Sequence, residues 1–349
     1  MSIQSFIEET MSEWMKSEGE ASDIVLSTRI RLARNDASFA FASVLDEREQ
    51  LQLRQQLLAL LQREFPALHV HAMDQMDSLF RHTLVEKHLI SPALSNKSTG
   101  AVLLSKDETV SIMVNEEDHL RIQCLGAGLQ LENVYEQANA IDDQIERNMT
   151  YAFHQQFGYL TSCPSNTGTG LRASVMMHLP VLSMTGQMKR IVQTISRLGF
   201  VVRGTYGEGS EASGNLYQIS NQTTLGKSEQ ETIQELKDIA ERLIAHERAL
   251  RQKMIEHSRV ALEDRIFRSY GTLRHSRLLQ SKEAADRLSD IRLGIDLGLI
   301  QHIHRGILNE LLLFMQPWLI QQYDNRTLTP RERDQLRAKI FRQRLSDDE

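Results

Sequence analysis

The chain has 349 residues, 41% hydrophobic and 25% charged, enough for at least one sizeable core with room for two domains. Its formal net charge of −6 argues against a direct nucleic-acid ligand, because a general polyanion binder carries a basic excess. No apolar run of about 18 residues offers a membrane span, acids stand at the N-terminus where a secretory leader would be basic and then apolar, and the only two cysteines, Cys124 and Cys163, build neither a disulfide framework nor a zinc site, so a cytoplasmic protein is expected.

In chain order, residues 1–22 read as one short amphipathic helix, with Ile3, Phe6, Ile7, Met11 and Trp14 at helical spacing. From Asp23, IVLSTRIRLA alternates apolar residues with Ser, Thr and Arg as a half-buried strand does. Arg29 and Arg31 then leave the same face and can grip one ligand. Residues 49–65 are helical, and AVLLS (101–105) with TVSIMVN (109–115) forms a hairpin that delivers Asn115 to Glu117 at a strand end. Next come a helix rich in Asp, Glu and Gln over about 131–156, a glycine-punctuated loop over 164–170, a helix over 171–179 and a hairpin-like region around 198–220.

Ser228 opens a capping box with Glu231, and apolar residues at helical period carry that helix to about 260. Residues 265–349 show helical patterns alone, the last helix starting at Thr329, Pro330 and Glu332. Apolar helices over 291–320 offer a face for a dimer.

The stretch NEEDHLRIQ (115–123) sets Glu116 and Glu117 just ahead of Arg121, an acid and base arrangement suited to moving a proton beside a phosphate. PSNTGTGLR (164–172) lacks both the Walker A ending and the GxGxxG spacing. Its Gly168 and Gly170 would let backbone approach a ligand, and Arg172, opening the expected helix, would hold an anion beside the helix dipole. Cys163 lies near that arginine, where a cationic neighbourhood favours a reactive thiol, whereas Cys124 reads as a small buried hydrophobe. Arg203 and Gly204 again join a fixed cation to flexible backbone, and Glu208 adds a carboxylate. Taken singly, these features also read as a charged strand face, surface turns and ordinary histidines.

VLSTRIR, NEEDHLR, LTSCPSNTGTGLRA and RGTYGE, spread over roughly residues 23–250, together resemble the catalytic domain of the phosphagen (guanidino) kinases and occur in that family's order. The resemblance implies an α+β fold, an antiparallel sheet flanked by helices that holds ATP and Mg2+. It implies Glu117 as the base, Glu208 as a second carboxylate orienting the acceptor and Cys163 as a thiol tuning its electrostatics. The nucleotide would meet Ser27, Thr28, Arg29, Ile30, Arg31, His88, Arg121, Arg172, Ala173, Ser174, Val175, Met176, Arg203, Gly204, Thr205, Tyr206, Gly207 and Glu208. Where the family has DISN this chain has QISN, so Gln218 is left out of the site.

The closer resemblance is to the bacterial branch of that family that phosphorylates arginine side chains in proteins. It extends into the C-terminal helices, where Arg333, Asp334, Gln335, Leu336, Arg337 and Ala338 would form an allosteric pocket for phosphoarginine. The expected organisation is a helical cover over 1–22, a catalytic domain over 23–255 and a helical regulatory or dimerisation domain over 256–349. The short segment ahead of the first motif leaves no lid over a small substrate, which favours a protein acceptor over a free guanidino metabolite. A nucleotide-binding adaptor is the further alternative, weakened by an intact Glu117 and five arginines. Implied partners are a zinc-binding activator protein, a heat-shock repressor and misfolded proteins as substrates, a Clp-type protease that reads phosphoarginine in the stress response, and a second copy of the chain.

Overall fold

The computed structural model describes residues 3–15, 19–204 and 213–346. Its elements begin with α1 (Ile3–Thr10), β1 (Val25–Arg34), α2 (Glu47–Glu64), β2 (His69–Ala72), α3 (Ser78–Glu86), α4 (Pro92–Ser95), β3 (Ala101–Leu104), β4 (Val110–Val114) and β5 (Leu120–Ala127). There follow α5 (Leu131–Glu146), β6 (Phe153–His154), β7 (Gly158–Tyr159), β8 (Leu171–His178), α6 (Pro180–Met184), α7 (Met188–Arg197), β9 (Phe200–Gly204) and β10 (Leu216–Asn221). The C-terminal part is helical: α8 (Glu229–His275), α9 (Ser281–Asp296), α10 (Arg305–Met315), α11 (Pro317–Asp324) and α12 (Pro330–Arg344).

Eight strands make one antiparallel sheet in the order β2-β3-β4-β5-β1-β8-β10-β9, and β6 pairs with β7 in a separate hairpin. Side chains alternate across a strand, and that period sorts the sheet into two faces. Ile30 and Leu32 of β1, Ile122 and Cys124 of β5, and Leu171, Ala173 and Val175 of β8 point to one face. There they join Leu53, Leu57 and Leu61 of α2, Val134 and Ala138 of α5 and Leu236 of α8 in the main core. Each fully buried Leu or Ile contributes about 1.5–3 kcal/mol. Burial pushes the Cys124 thiol up to about 12, which suits its packing role. The intervening positions, arginines among them, belong to the other face.

A second core joins Leu262, Ile266 and Leu273 of α8 to Leu288 and Ile291 of α9, Leu311 and Phe314 of α10, Ile320 of α11 and Phe341 of α12. The helix α8 serves both cores across a break at Ser258 (φ −140°, ψ 28°). Where they meet, buried Glu247 accepts from the N–H groups of Val181 and Leu182 at 3.1 and 2.9 Å and from Arg251 Nε at 3.0 Å. Arg251 and Arg305 both reach Asp296.

Several expectations are corrected. Residues 171–179 form no helix: Leu171, Ala173, Val175 and Met177 alternate at period two, and β8 lies paired between β1 and β10. Arg172 therefore has no helix dipole beside it. The N-terminal helix stops at Thr10, because the chain turns to let Glu13 N–H bond the Asp107 carbonyl at 3.1 Å. The helix over 131–156 ends at Glu146, where Tyr151 folds back to donate to Asp142 Oδ1 at 2.8 Å. The helix expected to reach about 260 breaks at Ser258 as read, and a second helical segment continues from there to His275. Most apolar residues of 291–320 pack into the second core, with Leu297, Leu299 and Leu312 only partly buried. Both C-terminal capping boxes, Ser228 with Glu231 and Thr329 with Glu332, form as read.

Candidate active site

The open face of the sheet centre carries the arginines. On β1, Arg29 and Arg31 project side by side, and Arg31 lies directly opposite Arg172 of β8. Arg121 of β5 pairs across from Ala33, and Arg203 of β9 lies across from Gln218 of β10. Like charges opposite one another on a sheet are destabilising, so this arrangement is held against its own repulsion. The Nε atoms of Arg29 and Arg31 are buried without a hydrogen-bond partner. Burial, then Arg172 and Arg121, lower the Arg29 guanidinium to about 10. Burial and the neighbouring arginines hold Arg31 well below its ordinary value despite the attraction of Glu116. A site that strains to keep its own cations ionised is one that favours an anion.

These five arginines line a cavity of about 520 Å³ together with His88, Glu117, Cys163, Ser165, Asn166 and Gln218. His88 reaches it from the turn after α3, at φ 59°. Burial, then Arg29 and Arg31, bring its imidazole down to about 4, so it stays neutral through the physiological range.

The turn joining β4 to β5 supplies the carboxylates. Asn115 adopts φ 56° and donates to the Gln50 and Thr99 carbonyls at 2.7 and 3.2 Å, which fixes the turn on the sheet edge. The two adjacent glutamates then part. Glu116 is buried, binding Arg121 at 2.7 Å and accepting from Ser91 Oγ at 2.6 Å. The Glu117 side chain is 42% exposed and lines the cavity, 3.3 Å from the same arginine. Burial, aided by Asp118 and Glu116, raises the Glu117 carboxyl against the pull of Arg121 and a hydrogen bond from Cys163. Thus Glu116 positions a cation and Glu117 faces the ligand space.

Asp118 and His119 build the wall behind. Fully buried Asp118 accepts at Oδ1 from Asn35 Nδ2 at 2.8 Å and from Ser162 N–H at 2.7 Å, tying the Cys163 loop to the turn. His119 Nε2 donates to the Ala40 carbonyl at 2.8 Å while Nδ1 accepts from Asp36 N–H at 3.0 Å. Cys163 Sγ lies 3.0 Å from Ser165 Oγ.

The structure therefore gathers Arg29, Arg31, His88, Glu117, Arg121, Cys163, Arg172, Arg203 and Gly204 in one place. Four of the expected nucleotide residues point away: Thr28, Ile30, Ala173 and Val175 sit on the helix-covered side at 0% exposure, and Thr28 Oγ1 is spent on the Gly128 carbonyl at 2.7 Å. Ser27, Ser174 and Met176 alternate onto the arginine face without lining its cavity; Ser27 and Met176 border a smaller apolar cavity that shares His88, and Ser174 is buried. Thr205, Tyr206, Gly207 and Glu208 lie outside the described residues. The Gly168 and Gly170 expectation divides. A Cβ at Gly168 (φ 121°) would stand 2.1 Å from the Thr224 carbonyl oxygen, and one at Gly170 (φ 64°) 2.6 Å from that of Ala33. Both glycines serve the close approach of backbone to backbone, and Gly170 also lines the cavity.

Sequence reasoning missed Gln218, whose Oε1 accepts from Arg29 at 2.8 Å inside the cavity. The period of β10 carried the signal, since Gln218 alternates with the core residue Ile219 and so shares the arginine face. Ser165 and Asn166 were also missed, and nothing in their residue types marks them.

In the C-terminal helices, the stretch from Arg333 to Ala338 lies on α12. Arg337 is 1% exposed and is already engaged by the carbonyls of Phe314, Leu279 and Met315 and by Asp334 at 2.7 Å. Arg333 donates to the Leu328 carbonyl at 2.9 Å, Ala338 is buried and Leu336 packs on the second core. Gln335 is exposed. The two arginine forks expected to clasp one ligand are thus unequal, with Arg337 committed to the protein interior.

Residues 51–250 match the family model "ATP:guanido phosphotransferase, C-terminal catalytic domain", and residues 259–349 match "Protein-arginine kinase McsB C-terminal domain". A relative in Halalkalibacterium halodurans named "Protein-arginine kinase" is 54% identical over 99% of this chain and 98% of its own length. One of the same name in Shouchella clausii is 52% identical over 99% of this chain and 98% of its length. Among solved structures, a lombricine kinase is similar at 28% identity and a TM-score of 0.59, covering 67% of this chain and 69% of its own. The duplicated taurocyamine kinase of Schistosoma mansoni, with bound transition state analog components, is similar at 25% identity and a TM-score of 0.59, covering 70% of this chain and 36% of its own.

Proposed function

The chain belongs to the protein-arginine kinase family of ATP:guanido phosphotransferases, and from that premise we propose that it phosphorylates arginine side chains of proteins in the cavity floored by its arginines. One observation carries the assignment of the site. Five guanidinium groups from five positions on the sheet meet Glu117, the one carboxylate lining the cavity among the described residues, whose pKa is raised.

The acceptor guanidinium is charged at any physiological pH and has no lone pair to offer until it loses a proton. Glu117 can pair with the planar fork and accept that proton, and its raised pKa makes it a stronger base than an ordinary carboxylate. The N–P bond then forms as the bond between the terminal phosphorus of ATP and its bridging oxygen breaks, leaving ADP. Arg29, Arg31, Arg121, Arg172 and Arg203 would surround the phosphates and offset the charge spread over the transferring group. Glu116 keeps Arg121 aimed, and Gln218 orients Arg29. Cys163 would tune the field at the acceptor without taking the phosphoryl group. Glu208 is proposed as the second acceptor carboxylate on the family pattern alone.

Magnesium belongs to the same reading. The described residues contain no group of three His, Cys, Asp or Glu side chains able to hold a metal ion. Magnesium would enter bound to the nucleotide. The activator, repressor and Clp-type protease of the family, a homodimer and phosphoarginine binding around Arg333 to Ala338 are proposed with it. A ligand there would have to compete with Asp334 for Arg337. None of the described helices is long and apolar enough to cross a membrane, in keeping with a proposed cytoplasmic location.

The test sets free L-arginine, creatine and a basic unfolded protein side by side with magnesium ATP. Acid-labile phosphate on arginine of the protein is expected. Faster turnover of either small molecule would overturn the choice of acceptor.

A further inference from the structure

Two of the three exposed aromatic side chains among the described residues, Phe153 and Phe157, sit on the hairpin β6–β7 at 57% and 46% exposure. The hairpin is held firmly. Phe153 packs edge-on against Tyr159 at 5.3 Å, and His154 stacks on Phe157 at 4.8 Å. The buried Arg34 guanidinium, paired with Asp142, lies 3.6 Å from the centre of the Tyr159 ring.

This hairpin is continuous with the acceptor side of the cavity. Tyr159 N–H donates to the Gly168 carbonyl at 2.8 Å, and Gly168 N–H returns a bond to Tyr159 at 3.2 Å. Those bonds close the loop that carries Cys163, Ser165 and Asn166 to the cavity. Ala152 N–H donates to the Asn35 carbonyl at 2.8 Å, and Asn35 in turn holds Asp118 beside Glu117. Backbone bonds thus tie the hairpin to the loop that carries the thiol and to the turn that carries the base.

An arginine held between Glu117 and Cys163 leaves its own backbone at the rim there. The cavity behind it is cationic, so its charge does not attract an arginine-bearing chain. Affinity must come from contacts outside it, and aromatic side chains with large rigid surfaces are effective anchors. We propose that Phe153 and Phe157 form a docking surface for apolar side chains flanking the target arginine of an extended polypeptide substrate. This rests on the functional reading above.

The test uses the full chain with Phe153→Ser and Phe157→Ser combined, both exposed positions. Substrates are single-arginine peptides flanked by leucine or phenylalanine, matched peptides flanked by serine, and N-acetyl-arginine amide, which is too short to reach the hairpin. Wild type should prefer the apolar flanks by about fivefold or more in kcat/KM, mostly through KM. The variant should lose that preference and keep its rate on the amide. A preference unchanged in the variant, or absent in wild type, overturns the docking surface while leaving arginine phosphorylation intact. An equal loss on the amide also overturns it, since the hairpin would then only support the thiol loop. No phosphoarginine from wild type on any substrate would sink the functional reading, and this one with it.

Discussion

Two sets of arginines in this molecule are treated in opposite ways. At the junction of sheet and C-terminal helices Arg251 meets Glu247 and Asp296, and within those helices Arg337 meets Asp334 and three carbonyls. In the cavity, among the described residues, Arg29 has the neutral Gln218 as its side-chain hydrogen-bond acceptor, and Arg31 stands opposite Arg172. Burying charge is costly unless it is paired. The paired set is architecture. Arg29 and Arg31, whose Nε atoms are buried without a partner, leave a demand that a polyphosphate satisfies.

This contrast predicts opposite responses to losing one charge. Arg31→Met should cut phosphoryl transfer by about 10³-fold or more, the scale on which single arginines act in such transfers. It should also leave thermal stability unchanged or raised, because a half-buried cation set among like charges is gone. A lowered melting temperature would place Arg31 among the structural arginines. Glu247→Ala should instead cost about 3–5 kcal/mol in denaturant unfolding, by taking one of Arg251's two carboxylate partners and leaving the buried Val181 and Leu182 N–H groups unpaired. An unfolding curve within error of wild type would erase the distinction.

A smaller effect sharpens the acceptor side. Glu117 must be ionised to accept a proton, and its carboxyl is raised above the ordinary 4.5. Turnover should therefore fall as pH drops through a value above the usual carboxylate range. The Cys163 hydrogen bond favours the ionised form, so Cys163→Ala should move that limb of the kcat/KM profile to higher pH while some activity persists. A limb that stays in place would take Cys163 out of contact with the base.

Much of this was legible in the chain because alternation and capping are local. IVLSTRIRLA announced β1 and the shared face of Arg29 and Arg31, and both C-terminal capping boxes appeared where they were read. The strand β8 was misread because its partners β1 and β10 are distant in sequence, and LRASVMMH alone suits either state. The same distance hid the opposition of Arg31 and Arg172, the feature that marks the site most clearly. Residue type could not divide Glu116 from Glu117 either. Only the fold shows that one carboxylate is consumed by Arg121 and Ser91 while the other faces the cavity.

The account turns on that division, and Glu117→Gln tests it most directly when ATP binding and phosphoryl transfer to a protein arginine are measured on one preparation. The arginine floor does not depend on Glu117 for its charge, so nucleotide affinity should persist while transfer falls by at least about 10²-fold, the scale of a lost general base. Turnover near that of wild type would remove Glu117 from the chemistry and contradict the account.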